Sequence, residues 1–473
     1  MRRDRIVPLI IAVALFMENM DSTVIATSLP AIATDIGTNP LALKLAVTSY
    51  LLSLAIFIPA SGWTADRFGA RTVFRAATAV FVLGSIGCAL SSSLTDFVIA
   101  RIVQGMGGAM MTPVGRMVLV RSISRRELVS AMAWVTTPAL IGPVIGPPVG
   151  GFITTYATWH WIFIINVPIG LLGIVLATRY IDDIRAEKRE RFDIFGMVLV
   201  GLGIAGVAFG LSILGLNFLP WTLVVALVVG GICFIAVYLV HARHTENPAL
   251  DLTLFRLPTF FASVTGGFVF RLGLGALPFL LPLMLQVGFG MSPFQSGMIT
   301  FASALGAMGM KWATATILRR FGFRTILVLN SLVSAAFLAA CAAFTPTTPI
   351  AVMVIMLLVG GFFRSLQFTS INTIAYAEVE HSRVSRATAL VSVGQQLSVS
   401  AGVAVGALAV ELSVRLNGTG ILEARDFPPA FLAVAAISAL SVFIFARLPP
   451  DAGAEMANRL PEPTEEVADP RVG

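Results

Sequence analysis

Apolar runs of about twenty residues recur from one end of this 473-residue chain to the other. Each run is long enough for a helix to cross the ~30 Å hydrocarbon layer of a bilayer. The residues are 57% hydrophobic and 12% charged, and the mean hydropathy is +0.88. Because soluble domains carry about 25% charged residues, the chain is predicted to be an all-α, polytopic membrane protein.

The apolar runs predict fourteen membrane-spanning helices. Lysine and arginine concentrate in the connections on the side of the N-terminus, whereas the opposite connections hold only Lys44, Arg415 and Arg425. Because positive residues mark the cytoplasmic side of a membrane, both termini are predicted to be cytoplasmic. The predicted helices cover residues 6–28, 44–64, 73–91, 95–119, 130–153, 160–180, 193–214, 220–241, 259–285, 292–314, 325–344, 349–375, 386–410 and 428–447.

Two short motifs recur at one spacing, which indicates an internal repeat. DRFGART at 66–72 returns as RRFGFRT at 319–325, and the glycine pair at 107–108 returns at 360–361, both at an offset of 253 residues. Transporter folds are commonly built from such repeats, with the substrate site between them. The predicted organisation is an N-terminal six-helix bundle at 1–180, a cytoplasmic linker at 181–192, an inserted transmembrane helix pair at 193–241, a second cytoplasmic linker at 242–258, a C-terminal six-helix bundle at 259–447 and a disordered cytoplasmic tail at 448–473.

Five motifs, in order along the chain, carry a resemblance to a known family. They are MDSTVIATSLP (20–30), GWTADRFGAR (62–71), RIVQGMGGA (101–109), GPVIGPPVGG (142–151) and WHWIFIINVPIG (159–170). They resemble signatures of the major facilitator superfamily and, within it, of the fourteen-helix drug:proton antiporter branch. Ala70, Thr72 and Ala26 depart from those signatures. The resemblance implies the major facilitator fold, two pseudo-symmetric six-helix bundles with an inserted helix pair, and transport without a cofactor.

The loop motif supplies a candidate gate at the cytoplasmic ends of helices 2 and 3. From the residues alone, its charges are either solvated and mark topology or form a latch. The resemblance implies the latch, in which Asp66 pairs with a nearby arginine or helix end and separates during switching. A partly exposed ion pair has the modest strength that such a latch needs. The candidate gating residues are Gly62, Asp66, Arg67, Gly69 and Arg71.

The fifth predicted helix carries a stripe of glycines at every fourth residue. Small residues at this spacing let helices approach closely, and the prolines disturb the backbone ladder locally. The residues alone indicate a packing groove, and the resemblance implies a seal between helices 5 and 10 that limits proton leak. The motif residues are Gly142, Pro143, Gly146, Pro147, Gly150 and Gly151.

Two carboxylates, Glu18 and Asp21, interrupt the first apolar run, where an ionised side chain costs roughly 2.5–3.5 kcal/mol. Arg101 on helix 4 is predicted to lie within one turn of the depth of Asp21, and a pair between them would offset much of that cost. The pair is either a permanent packing element or a proton site. Glu18 is one turn away on nearly the same face, which favours a shared proton. Asp21, Glu18 and Arg101 are the predicted proton-coupling residues.

The second half of the repeat replaces an acid with a base, because Arg271 corresponds to Glu18 at the 253-residue offset. Arg364 on helix 12 has a similar predicted depth. Either arginine is a candidate for a substrate cavity or pairs structurally with Glu18 or with carbonyl groups. Intramembrane amides are often contacts between helices, so they are weaker candidates. The predicted substrate-cavity residues are Arg271, Arg364, Gln104, Gln367 and Gln395.

These features predict a proton-coupled antiporter of a bacterial inner membrane that exports amphipathic drugs or other toxic small molecules by alternating access. The two intramembrane arginines keep open an alternative, the export of an organic anion or its metal chelate. A non-transporting membrane sensor is a third class, although no large soluble domain is predicted. The three cysteines are isolated within apolar runs, and no metal-ligand spacing, nucleotide loop or catalytic triad is recognised. The predicted partners are a small-molecule substrate, protons and the lipid bilayer, without nucleic acid, for a chain that functions as a monomer.

Overall fold

The computed structural model describes residues 3–122, 128–182, 192–213, 219–380, 383–418 and 420–457, and within them it is helical and free of strands. Helices suit apolar runs in lipid because each helix satisfies its own backbone hydrogen bonds. Fourteen helical segments follow one another in this part of the chain. They are α1 (Arg3–Asp35), α2 (Pro40–Phe68), α3 (Ala70–Ala89), α4 (Leu94–Ser122), α5 (Leu128–Tyr156), α6 (Trp161–Tyr180), α7 (Ile194–Ser212), α8 (Trp221–His244), α9 (Pro258–Gly288), α10 (Pro293–Phe321), α11 (Phe323–Ala343), α12 (Ile350–Ile374), α13 (Val384–Asn417) and α14 (Ala424–Phe445).

Twelve of these segments are long and apolar enough to cross a membrane. The chain is therefore a multi-pass, all-α membrane protein. The other two segments, α5 and α10, are 29 residues long each. α10 carries Lys311 and, near its end, Arg319 and Arg320.

Two glycines in the recurring motif have the same backbone role, which gives the repeat a structural counterpart. Gly69 separates α2 from α3 with φ +93°, and Gly322 separates α10 from α11 with φ +77°. Residues with a Cβ rarely adopt this region of φ, so the sharp break between consecutive helices depends on glycine. The two glycines are 253 residues apart in sequence, the offset of the repeat.

The helices pack in a pattern that respects this repeat. α1 packs on α5 and α2 packs on α4 in the first half, and their counterparts in the second half do the same, α9 on α13 and α10 on α12. The two halves of the chain meet where α2 packs on α13 and where α5 packs on α10. α7 and α8 pack on each other, and α7 also contacts α2 and α13 at the edge of the junction.

The largest apolar cluster that both halves share lies at one end of the bundle, and a smaller cluster links Leu52 and Ala55 of α2 to residues of α7 and α13. We call the end with the α1–α2 and α9–α10 connections the outer end, and the opposite end the inner end. At the outer end a single cluster joins residues of both halves, among them Ile32, Leu43, Leu285, Val410 and Phe431. At the inner end each half has its own cluster, represented by Ile10, Phe74 and Val118 in one and by Phe270, Ile374 and Phe445 in the other.

Polar contacts between the two halves follow the same distribution. Gln286 on α9 donates to the Thr27 carbonyl on α1 at 2.9 Å, and the Phe294 backbone N–H donates to Thr155 Oγ1 at 3.0 Å. An ion pair also joins the start of α2 to the last turns of α13. These three contacts between residues 3–182 and 258–457 all lie at the outer end.

The described chain continues past α14 as a series of turns to residue 457, inside the segment predicted to be a disordered tail. Leu448, Ala452 and Ala457 are buried in the same cluster as Phe323 of α11. These apolar contacts give residues 448–457 a defined position. Residues 458–473 of the predicted tail, and most of the predicted linker at 181–192, lie outside the described residues.

Candidate functional site

The centre of the N-terminal half holds a buried ion pair between α1 and α4. Arg101 Nη1 donates to Asp21 Oδ2 at 2.8 Å, and the two residues are 1% and 2% exposed. The structure thus places the two predicted partners in contact. Removing one partner of such a pair would leave an uncompensated charge, at a cost of roughly 3–5 kcal/mol.

Two amide side chains complete the coordination of the Asp21 carboxylate. Gln104 Nε2 donates to Asp21 Oδ1 at 2.9 Å, and Asn166 Nδ2 on α6 donates to the same oxygen at 2.8 Å. Both amides also reach Ser85 Oγ on α3, at 2.8 and 3.3 Å, and Gln104 Oε1 accepts from Arg101 at 2.5 Å. The Asp21 carboxylate therefore accepts hydrogen bonds from one cationic and two neutral donors.

The face of Tyr50 covers the Arg101 guanidinium. The guanidinium carbon lies 4.2 Å from the centroid of the ring, and Tyr50 comes from α2. A cation over an aromatic face gains about 2 kcal/mol or more when both groups are desolvated. The network therefore contains side chains from α1, α2, α3, α4 and α6. A change in the charge of Asp21 would alter contacts among these five helices.

Glu18 lies one turn before Asp21 and has a simpler environment. Its Oε2 accepts a hydrogen bond from Thr112 Oγ1 of α4 at 2.7 Å, and the residue is half-buried. Within the described residues this hydroxyl is its hydrogen-bond donor, and the ion pairs do not include it. Of the two carboxylates, Glu18 is the one that combines partial exposure with weak compensation of its charge.

The C-terminal half holds two arginines at membrane depth. Arg271 on α9 is 2% exposed; its Nη2 donates to Asn372 Oδ1 at 2.7 Å, and its guanidinium lies 5.3 Å from the centroid of the Phe368 ring. Arg364 on α12 is half-buried and donates to Ser303 Oγ on α10. In the described part of the chain, neither guanidinium has a carboxylate partner. The two arginines thus remain positively charged sites held by neutral groups.

The three predicted glutamines have different positions. Gln104 has no exposed surface and belongs to the Asp21 network, so in this conformation it does not line an open cavity. Gln367 is also fully buried; its Nε2 donates to the Leu327 carbonyl, and its Oε1 accepts from Asn330. The Gln367 amide is thus used in the contact between α11 and α12, and its cavity role stays a prediction. Gln395 on α13 is half-buried.

The glycine stripe of α5 faces α1, whereas the expected contact with α10 is made by other residues of the same motif. A Cβ atom at Gly142 would lie 3.0 Å from the Phe16 carbonyl oxygen, and one at Gly150 would lie 2.5 Å from that of Val24. A Cβ atom at Gly146, between them, would collide with the side chain of Thr23, which is also on α1. The stripe therefore lets α1 and α5, both within the N-terminal half, approach closely.

The contact between α5 and α10 uses the neighbouring face of the motif. A Cβ atom at Gly151 would collide with the Pro293 backbone of α10, and one at Gly297 of α10 would collide with Pro147. Successive residues of a helix point about 100° apart, so Pro147 and Gly151 share a face that the stripe does not. Pro143 is half-buried, and α5 remains helical through all of its prolines.

The predicted gating residues lie at the inner end, around the break between α2 and α3. Gly69 forms the break, and Asp66 is half-buried in the last turn of α2. The Arg67 guanidinium lies 5.7 Å from the centroid of the Trp63 ring, and Arg71 Nη1 donates to the Ile181 carbonyl at 3.5 Å. A Cβ atom at the fifth residue, Gly62, would lie 4.0 Å from the Met117 side chain of α4. The switching role of these residues stays a prediction.

Several residues of the network were not predicted from the sequence. Their side chains are uncharged, so they do not stand out in an apolar run as a charged residue does. They are Tyr50, Ser85, Thr112 and Asn166. Asn166 lies in the recognised motif WHWIFIINVPIG, where a polar amide among branched apolar residues was an available signal. The described residues contain no group of three or more histidine, cysteine, aspartate or glutamate side chains suited to a metal ion.

The structure is a bundle of apolar helices built from a repeat. It holds a charged network at membrane depth, and small residues bring its helices close together. These features define a multi-pass membrane transporter. The sequence profile described as Major Facilitator Superfamily matches residues 11–193, 185–403 and 263–469. The chain belongs to this superfamily, whose members are transporters of small molecules in membranes and not enzymes.

Sequence relatives and solved structures agree with this membership. The chain is 39% identical over 453 residues to "Putative multidrug resistance protein MdtD" of Salmonella heidelberg (strain SL476), covering 93% of this chain and 94% of that protein. The protein of the same name from Salmonella typhimurium (strain LT2) is also 39% identical. The crystal structures of a D-xylose-proton symporter and of a bacterial homologue of the human lysosomal transporter Spinster share the fold. Each superposes with a TM-score of 0.67 at 14% identity. The symporter match covers 95% of this chain and 98% of that chain, and the Spinster homologue match covers 98% and 99%.

Proposed function

We propose that this protein is a proton-coupled exporter of amphipathic drugs or other toxic small molecules. The observation that carries the proposal is the buried Asp21–Arg101 pair with a second, weakly compensated carboxylate, Glu18, one turn away. Ionisable residues inside membrane spans are costly and mark function by default. The MdtD relatives, named as multidrug resistance proteins, support drugs as the substrate class.

In this proposal Glu18 and Asp21 bind the proton and Arg101 couples it to conformation. Glu18 is partly exposed and has a single hydroxyl donor, so it can take up a proton at small cost to its hydrogen bonding. Two carboxylates one turn apart disfavour simultaneous ionisation, so the charge state of one affects the other. Protonation of Asp21 would release Arg101, whose other contacts are Gln104 and the Tyr50 ring, and so loosen the joint between five helices.

Alternating access is supported by the uneven distribution of contacts between the halves. The largest shared cluster and the polar contacts named above lie at the outer end, whereas the inner-end clusters around Phe74 and around Phe270 each belong to one half. This distribution is expected of a state open towards the inner end. Opening the outer end would require the contacts of Gln286 and Phe294 with the N-terminal half to break.

The full topology belongs to the same proposal. By the 253-residue offset, α10 corresponds to α2 and α5 to α13, and both counterparts are among the twelve apolar spans. We therefore propose fourteen spans, arranged as two six-helix bundles with α7 and α8 as the inserted pair. The arginine bias of the inner-end connections supports cytoplasmic termini in the inner membrane of a bacterium. A monomer is sufficient, because the network is built within one chain.

The energetics of proton coupling are adequate for export. One elementary charge moving across 100 mV releases about 2.3 kcal/mol. A concentration ratio of ten costs about 1.4 kcal/mol. One or two protons per substrate would therefore sustain a useful outward gradient.

The alternative substrate class is an organic anion or its metal chelate. Arg271 and Arg364 motivate it, because they are cations at membrane depth held by neutral groups in the described structure. Guanidinium groups bind carboxylates with two parallel hydrogen bonds. Inhibition of drug transport by a tricarboxylate, lost in Arg271→Gln, would favour this alternative over a site for cationic drugs.

The test is transport by the purified protein in liposomes with an imposed proton gradient. Cationic dyes, neutral drugs and organic anions would be compared for the parent, Asp21→Asn and Glu18→Gln. Matched controls are Asp96→Asn and Glu380→Gln, which neutralise exposed carboxylates. We expect the two network variants to lose gradient-driven transport by at least about tenfold, while the controls retain it. Full transport by Asp21→Asn with unchanged proton dependence would disprove the assignment of the coupling residue.

A further inference from the structure

A cavity of about 700 Å³ opens at the inner end, outside the network around Asp21. Its walls come from the last turn of α8, the connection between α8 and α9, and the first turn of α13. Four arginines line it, one from α8, one from the connection, one immediately before α13 and one in its first turn: Arg243, Arg256, Arg383 and Arg386. The carboxylates in its lining are Glu246 and Asp251, so arginines outnumber acids by four to two.

Two of the arginines are held in place by the connection. Arg383 Nη2 donates to Asp251 Oδ2 at 2.8 Å and also to Thr253 Oγ1. Arg386 Nη2 donates to Asn247 Oδ1 at 2.6 Å, and its Nη1 lies 3.7 Å from Asp251 Oδ2. One carboxylate thus fixes two guanidinium groups, which pre-organises this wall of the cavity.

The other two arginines are available to a ligand. Among the described residues, no carboxylate oxygen lies within 4.0 Å of the Arg243 or Arg256 guanidinium. Both residues are exposed. The cavity therefore combines two positioned cations with two uncompensated ones, and it has the charge and volume for a phosphate group with its substituents.

The cavity lies beside a lipid-facing helix. α8 is apolar up to its basic last turn, and residues along its outer face are widely exposed in the isolated chain, including Val237 at 50% and Val240 at 58%. In a membrane these side chains contact acyl chains, and they lie within two turns of Arg243. A lipid whose acyl chains cover this face of α8 would have its headgroup at the mouth of the cavity.

We propose that this cavity binds the phosphate of an anionic phospholipid headgroup. Basic pockets between membrane helices are a recurrent recognition mode for such lipids. Arg243 and Arg256 contact the phosphate, and Arg383 and Arg386 form the rear wall. The bound lipid would then connect the end of α8 to the start of α13, and so brace the α7–α8 pair against the C-terminal half. This role is independent of which solute the protein transports.

The test measures lipid binding to the purified full-length protein. Native mass spectrometry after titration with phosphatidylglycerol or phosphatidylcholine gives the affinity for each lipid. We expect the parent to prefer phosphatidylglycerol, and R243A/R256A to bind it about thirtyfold more weakly, the loss expected for two arginines at a membrane surface. R243K/R256K keeps both charges and should therefore lose less affinity than R243A/R256A.

The matched control is R179A/R320A, which removes two exposed arginines from the inner ends of α6 and α10, away from the cavity. It should bind phosphatidylglycerol within about threefold of the parent. Equal binding by R243A/R256A and the control, or equal affinity of the parent for both lipids, would overturn the proposal. A third arm uses inorganic phosphate as competitor. Displacement of the lipid by phosphate at equal concentration would overturn the lipid assignment and identify a site for free phosphate.

Discussion

Lys44 Nζ lies 3.7 Å from Glu411 Oε2, and this ion pair joins the first turn of α2 to the last turns of α13. The Lys44 side chain is fully buried, and that of Glu411 is 14% exposed. Arg415 Nη2 contacts the other oxygen of Glu411 at 3.0 Å. The pair therefore crosses the junction between the halves at the end where their apolar cores are continuous.

Lys44→Ala should favour opening of the outer end. Loss of one partner of a buried pair costs roughly 3–5 kcal/mol, but Arg415 still compensates Glu411, so we expect a shift of about 1–3 kcal/mol towards the open state. Hydrogen–deuterium exchange should rise at the start of α2 and the end of α13. The control is Arg425→Ala, which removes a cation from the exposed Arg425–Glu423 pair at the same end. Equal exchange in the parent and Lys44→Ala would rule out a closing role.

The positions of the helices follow largely from apolar runs, because a bilayer imposes one length scale on every span. Their ends are less predictable. α1 was predicted to end at residue 28 and extends to Asp35, through Pro30. A proline removes one backbone hydrogen bond and does not always end a membrane helix. Outside the hydrocarbon layer, nothing in the sequence forces this helix to stop.

The candidate site was predictable where charge was involved. Asp21 and Arg101 are costly in lipid, so their similar depth indicated a pair, and the structure has them at 2.8 Å. The amide and hydroxyl donors around them gave no comparable signal. The glycine stripe of α5 was visible as a period of four, but periodicity does not name the neighbouring helix, which is α1 and not α10.

Tyr50 offers a test of what holds Arg101 in place. Its hydroxyl is buried and has no hydrogen-bond partner among the described residues, whereas its ring covers the guanidinium. Tyr50→Phe should leave the free energy of unfolding unchanged or raise it by up to about 1 kcal/mol, because an unsatisfied group is removed. Tyr50→Ala should lower it by about 3–5 kcal/mol through the cavity and the lost ring face. Denaturation in mild detergent measures both. A large loss in Tyr50→Phe would reveal a role for the hydroxyl.

Gly150→Ala should destabilise the contact between α1 and α5. The added Cβ would lie 2.5 Å from the Val24 carbonyl oxygen, which is backbone and cannot rotate away. Overpacking of this kind costs about 1–3 kcal/mol. The control is Gly173→Ala on α6, where no atom lies within 4 Å of the new Cβ, so alanine should be neutral or stabilising by up to about 1 kcal/mol. The midpoint of thermal unfolding should fall in the first variant only, and equal midpoints would contradict the close approach.

Asp251 gives the α8–α9 connection a defined pH dependence. Burial acts to raise the pKa of its carboxyl, but hydrogen bonds from Thr253 and Arg383 outweigh burial and hold the pKa below its usual value. A lowered pKa in the folded state adds stability that is present above the unfolded pKa of about 3.9 and lost as the pH falls through the folded value. Arg383 and Arg386 are the charged groups that contact this carboxyl.

Asp251→Asn should therefore lower the midpoint of thermal unfolding by about 1 °C between pH 6 and 8, the shift expected for a chain of this length from the loss of about 1 kcal/mol. The difference between parent and variant should stay constant over that range, because the parent carboxylate remains ionised. Below about pH 4 the midpoints should converge as the parent protonates. The neighbouring Glu246→Gln, which neutralises an exposed carboxylate of the same connection, should match the parent throughout. If the midpoints of parent and Asp251→Asn converged already near neutral pH, the pKa of Asp251 would not be lowered by its hydrogen bonds, and this prediction would be wrong.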